Sequence, residues 1–145
     1  MKIQMGVLMA LIAIVTSTGA IARNTIHEYD IADVLNNDQY KERLAGVSYY
    51  FGDQKYPAVA QKFGEGRTNK KTNAFNKSDQ EACQWVMLSA MLQLRQRAQE
   101  LGADAVVNIR SNYKNNVVSS STKYTCGAGG TVAGVALIGD FVKLK

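Results

Sequence analysis

The sequence predicts an α+β domain with one long helix packed on one face of a small antiparallel or mixed sheet. Three observations carry this. A single amphipathic stretch from Ser78 to Leu101 has helical spacing. The segment that follows it, Ala105 to Tyr113, has strand character. The remaining apolar residues fall in short runs rich in β-branched and aromatic side chains.

The chain has 145 residues, 17 of them Lys or Arg and 12 Asp or Glu. Its start reads as an export signal. Met1-Lys2 is a positive head, Ile3 to Val15 an apolar run, and Ala20-Ile21-Ala22 a small-residue cleavage site. The apolar run is shorter than the ~18–20 residues of a spanning helix, so cleavage after Ala22 is expected and no transmembrane span should remain. No cysteine follows the run to carry a lipid, since Cys83 is the first in the chain. The single domain is then Arg23 to Lys145. Losing Lys2 leaves 16 basic and 12 acidic side chains, a net charge of +4. That is too mild for a nucleic-acid footprint, and no nucleic-acid partner is expected. A domain of this size buries roughly two-thirds of its unfolded surface, enough for a core.

Taken in order, Arg23 to Asp30 alternates weakly and reads as a short strand. Asp30 is placed to cap a helix beginning at Ile31, with Ile31, Val34 and Leu35 on one face. Asn36-Asn37-Asp38 breaks it, Asp38 caps a second turn, and Gly46 ends that turn. Val47 to Phe51 and Ala58 to Phe63 read as two strands joined in a hairpin. Gly64 to Lys77 is nearly devoid of apolar residues. It carries Arg67, Lys70, Lys71 and Phe75, and reads as a solvated loop or edge extension, or as a basic recognition loop for an anionic partner.

Ser78 and Glu81 form the S-x-x-E capping box of the long helix, and Gly102 stands where a left-handed cap ends it. Cys83, Val86, Met87, Ala90, Met91, Leu94, Ala98 and Leu101 make its main apolar stripe. Trp85, Leu88 and Leu92 lie roughly opposite. They are either covered by the Ile31–Leu44 segment or exposed as a contact patch. In the strand Ala105 to Tyr113 the odd-numbered residues should face the core and the even-numbered ones solvent. Lys114-Asn115-Asn116 is a turn, Val117 to Cys126 returns as a strand, and Thr131 to Lys145 forms the last, central strand with a bulge at Gly139-Asp140. In an exported chain Cys83 and Cys126 are expected to form a disulfide.

No catalytic constellation stands out. CGAGGTVAG lacks the Lys-Ser/Thr of a phosphate loop, and Val132 stands where a dinucleotide fingerprint needs its third glycine. His27 is the only histidine and reads as an ordinary strand residue. No metal site, C-x-x-C pair or G-x-S-x-G serine occurs, so neither cofactor nor metal is expected.

The run Leu101-Gly102-Ala103-Asp104-Ala105-Val106-Val107, followed by Gly139 to Leu144, resembles the small α+β domain of the YbjQ-like proteins and of the envelope sensor lipoprotein RcsF. In that group a helix ends in Gly-Ala-(Asp/Asn)-Ala-Val and the chain closes on a short apolar strand. The likeness covers about the last 65 residues and speaks to fold more than to activity. This chain differs in lacking the lipid-anchored cysteine and in having cysteines for one disulfide where RcsF has two. The whole chain is also similar to small exported proteins of Gram-negative bacteria labelled excinuclease ABC or excinuclease ATPase. That label implies DNA repair, although no Walker motif or zinc-type cysteine pair is present.

Three functions follow in order. The first is a non-catalytic periplasmic or secreted module touching an envelope protein or an anionic surface component, through Arg67, Lys70, Lys71 and Phe75 or through Trp85, Leu88 and Leu92. The second is a small periplasmic enzyme or ligand-binding protein using Asp and Tyr side chains around a cleft. The third is the repair role of the label.

Overall fold

The computed structural model describes residues 22–145. The expected export segment, apart from Ala22, lies outside them. The elements in order are β1 (Thr25–Asp30), α1 (Ile31–Leu35), α2 (Asp38–Leu44), β2 (Ser48–Phe51), β3 (Val59–Asn73), α3 (Asp79–Leu101), β4 (Ala105–Tyr113), β5 (Asn116–Val118), β6 (Lys123–Ala128) and β7 (Val132–Leu144). The class is α+β, with α3 packed on one face of a mixed seven-stranded sheet.

α3 forms where its capping signals stand. The Ser78 hydroxyl accepts from the Glu81 N–H at 3.1 Å, and Gly102 ends the helix at φ 77°. Ala82, Cys83, Val86, Met87, Ala90, Met91, Leu94 and Ala98 are buried on the sheet. The smaller helices use other caps than expected. Asp30 makes no side-chain cap bond, and the N-cap of α2 is Asn37, whose Oδ1 accepts from Gln39 N and Tyr40 N, rather than Asp38.

β7 is the hub of the sheet. One of its edges pairs antiparallel with β3 along its whole length, and the other pairs with β6 at Ala133–Gly134 and with β4 from Leu137 to Val142. β6 carries β1 on its far side, and β4 carries β2 and β5. The expected β2–β3 hairpin is absent. β2 pairs parallel with β4, and β3 crosses to β7, because the loop between them carries the chain across the sheet instead of turning it back. The strand beginning near Ala58 also runs on to Asn73, through most of the expected basic loop. The single expected strand from Val117 to Cys126 is two, β5 and β6, broken at 119–122.

The expected bulge lies in β4, not at Gly139-Asp140. The β4–β7 register shifts between Val107 and Arg110, with Asn108 at φ 51°. This extra residue changes the phase of β4, so a simple odd-in, even-out alternation fails. Val106 and Ile109 join the main core under α3, whereas Ala105 and Val107 form a small second cluster with Val142 on the opposite face.

The helix face is closed covalently as well as by packing. Cys83 in α3 and Cys126 in β6 form a disulfide, with Cα atoms 5.9 Å apart and a sequence separation of 43. Of the second apolar side of α3, Leu88 is buried, Leu92 is half-buried, and Trp85 is 45% exposed. α1 and α2 pack beside α3, so the three do not form a continuous patch. Tyr40 lies at 6.2 Å from the Trp85 ring and the Arg43 guanidinium at 5.7 Å. No helix of the described residues is long and apolar enough to cross a membrane.

Candidate functional site: the open face of the sheet

Directly opposed residues in an antiparallel sheet share a face. On β7, Ala133, Val135, Leu137 and Phe141 point to α3 and belong to the core. Gly134, Ala136, Ile138 and Asp140 therefore point the other way. Their β3 partners on that open face are Lys71, Asn69, Arg67 and Glu65 respectively. From β4, Arg110 stands opposite Ile138 on the same face.

Strand alternation thus divides the expected basic cluster. Arg67 and Lys71 share the open face, while Lys70, opposite Val135, faces the helix side and is half-buried. Phe75 lies beyond β3 in the turn before α3 and is 62% exposed. The open face brings Arg67 and Lys71 together instead with Arg110, Asn112 and Lys114 of β4 and its turn. Lys114 and Asn115 hold φ values of 51° and 62°, the two left-handed residues of a tight hairpin between β4 and β5.

Between β3 and β4 the small residues Gly134 and Ala136 keep the floor low. The result is a cavity of about 280 Å³ over Ala136, flanked by Arg67 and Asn69 on one side and by Asn112, Lys114 and Asn115 on the other. Its rim is cationic. Glu65 and Asp140 share this face, and Glu65 is already divided between two guanidinium groups: Arg110 Nη2 donates to it at 3.0 Å and Arg67 Nε at 3.3 Å. Among the described residues neither Lys71 nor Lys114 has a carboxylate within ion-pair distance. The Lys114 ammonium stands 5.7 Å from the Tyr113 ring. At the bulge, Asn108 Nδ2 donates to Asp140 Oδ2 at 3.3 Å and its carbonyl accepts from Arg110 Nη1 at 2.9 Å, which orients Arg110. Asparagine amides and unpaired cations along a trough suit a partner with carboxylate or phosphate oxygens. Their spacing offers no nucleophile–base pair.

A second cavity, about 540 Å³, opens past Tyr113 between Lys71, Arg23 and the glycines of the Gly127–Gly134 segment. Two of those glycines lie against Tyr113: a Cβ on Gly127 would clash with its hydroxyl and Cζ, and one on Gly134 would stand 3.4 Å from its ring. The Tyr113 hydroxyl donates to Asn24 Oδ1 at 3.2 Å.

His27 is better connected than its sequence context suggests. β1 pairs with β6 so that His27 stands opposite Cys126, on the helix face and beside the start of α3. There His27 Nε2 lies 2.8 Å from Asp79 Oδ2, and Arg23 grips both oxygens of the same carboxylate at 2.8 and 2.9 Å. Arg23, then His27, hold the Asp79 carboxyl well below the usual carboxylate range. This clasp ties the first strand to the N-terminus of α3. Sequence reasoning missed it because its members are 52 and 56 residues apart. Among the described residues, no group of three or more His, Cys, Asp or Glu side chains is placed to hold a metal ion.

Comparison with family models, with curated proteins and with solved structures finds no match.

Proposed function

We propose that this protein is an exported, disulfide-closed binding module whose open sheet face contacts an anionic component of the envelope. One observation carries the reading: Arg67, Lys71, Arg110 and Lys114 share the face that holds the trough, with Glu65 already shared by two of them and Asp140 held by Asn108. The Cys83–Cys126 bond supports an oxidising compartment, where such bonds persist. The expected cleavage after Ala22 would deliver the chain there. The same reading relates the fold to the YbjQ-like and RcsF domains, on the passage from α3 through Gly102 into β4 and the closing Gly139–Leu144 segment. The module acts by contact, without turnover.

The test is salt-dependent retention of the protein on immobilised polyglutamate. Retention should weaken as ionic strength rises, because exposed charges are screened over about 8 Å at physiological salt. It should fall sharply in Arg67→Glu/Lys71→Glu/Lys114→Glu. A variant held as strongly as the wild type would remove the open face from consideration. Export is checked by the intact mass from a periplasmic fraction, alkylated before and after reduction. A mass starting at Arg23, with thiols reactive only after reduction, is expected; a full-length mass with both thiols free would overturn the localisation.

A further inference from the structure

β3 forms an edge of the sheet. Its inner side pairs with β7 throughout, and its outer side has no partner strand among the described residues. The phase of this edge can be read from its end. The Ala74 N–H donates to Thr131 O at 2.8 Å. Alternation along an antiparallel pair then directs the main-chain groups of Thr72, Lys70 and Thr68 toward β7, and those of Asn73, Lys71, Asn69 and Arg67 outward. Consistent with this, the Asn73 carbonyl accepts from Lys77 Nζ at 3.0 Å, away from the sheet. The register shifts of β3 fall before Glu65, so the edge from Glu65 to Asn73 is regular.

We infer that this edge takes up an extended acidic peptide as an added β-strand, a step that rests on the anionic-partner reading above and specifies the partner's chemistry. The residues with outward main-chain groups, Arg67, Asn69 and Lys71, are the ones whose side chains lie on the open face. A strand added there bonds to their backbone and places every second side chain beside theirs. Carboxylates at those positions meet Arg67 and Lys71 in opposed cross-strand pairs. The same charges reject other occupants. A second copy pairing antiparallel about Asn69 would set Arg67 against Lys71 twice, and like charges directly opposite each other destabilise a pair. Lysine and arginine on an edge ordinarily block strand addition; here they also select the sign of the strand that can add.

The test uses oxidised protein purified from the periplasm. The probe is a capped peptide of about nine residues, a common strand length, alternating threonine and glutamate. Its controls are the same peptide with lysine for glutamate, and the glutamate peptide N-methylated at alternate residues. The glutamate peptide should bind, the lysine peptide should not, and N-methylation should abolish binding. Amide exchange at Arg67, Asn69 and Lys71 should slow on binding. Arg67→Glu/Lys71→Glu should lose roughly tenfold in affinity, from two cross-strand charge pairs. If the methylated peptide binds as well as its parent and those amides exchange as before, strand addition is wrong while the anionic face stands. If neither the glutamate peptide nor polyglutamate binds, both readings fail.

Discussion

Tyr113 packs so closely over Gly127 that a single added methyl at that glycine would clash with the Tyr113 hydroxyl and Cζ. Tyr113 closes the end of β4, and Gly127 lies in β6, so the contact joins two strands that share no register pairing. Gly127→Ala should therefore destabilise by about 1–3 kcal/mol, as overpacked cores do. Adding Tyr113→Ala should recover part of that loss. Equilibrium denaturation of the two variants and the wild type measures it, and an unchanged midpoint for Gly127→Ala would refute the contact.

The Cys83–Cys126 bond should be the largest single contribution to remove. Closing 43 residues corresponds to about 4 kcal/mol in the chain-entropy treatment. A Cys83→Ala/Cys126→Ala protein should lose most of this, with a fall in melting temperature on the order of 10 °C. Melting with and without reductant gives the same comparison in the native sequence. Insensitivity to reductant would show that the bond contributes nothing to stability.

The Asp79 clasp gives acid sensitivity of a definite sign. Its carboxyl is depressed in the folded state by Arg23 and His27. Its contribution is thus complete above the unfolded value of about 3.9 and is lost as pH falls from there toward the folded value. The stability gap between wild type and Asp79→Asn should shrink as pH falls below about pH 4. A gap that stays constant to low pH would contradict the clasp.

Tyr124 presents the opposite case. Its ring is buried in the core and its hydroxyl has no hydrogen-bond partner among the described residues, and burial pushes its pKa up. Removing a buried unsatisfied hydroxyl relieves a desolvation cost, so Tyr124→Phe should stabilise by about 1 kcal/mol. Loss of stability on that change would mean the hydroxyl is satisfied, for example by a bound water.

α3 was legible because its signals are local: a capping serine, a helical stripe and a terminal glycine within one continuous segment. The bridge between Cys83 and Cys126 was legible from the cysteine count and the expected export. β3 was recognised only over its first residues. From Glu65 onward even its helix-facing positions are Gly66, Thr68, Lys70 and Thr72, so no apolar alternation marks the strand. The β2–β3 hairpin failed for another reason. Neighbours in sequence need not be neighbours in the sheet, and β2 pairs with a strand that begins beyond α3. The trough was half legible: Arg67 and Lys71 are clustered in sequence, but Arg110, Asn112 and Lys114 reach it through the β4–β7 register and the bulge at Asn108.

β7 follows in the chain every strand it pairs with. During synthesis, β3, β4 and β6 must therefore wait for the sheet's central member to emerge. Their edges toward β7 stay unmatched until residues 132–144 appear, although β1–β6 and β2–β4–β5 can pair before then. A chain built this way stays incomplete until almost its whole length is made, since the sheet's centre comes last. It is also vulnerable while waiting, because the edges that later make the fold are open to capture by other chains.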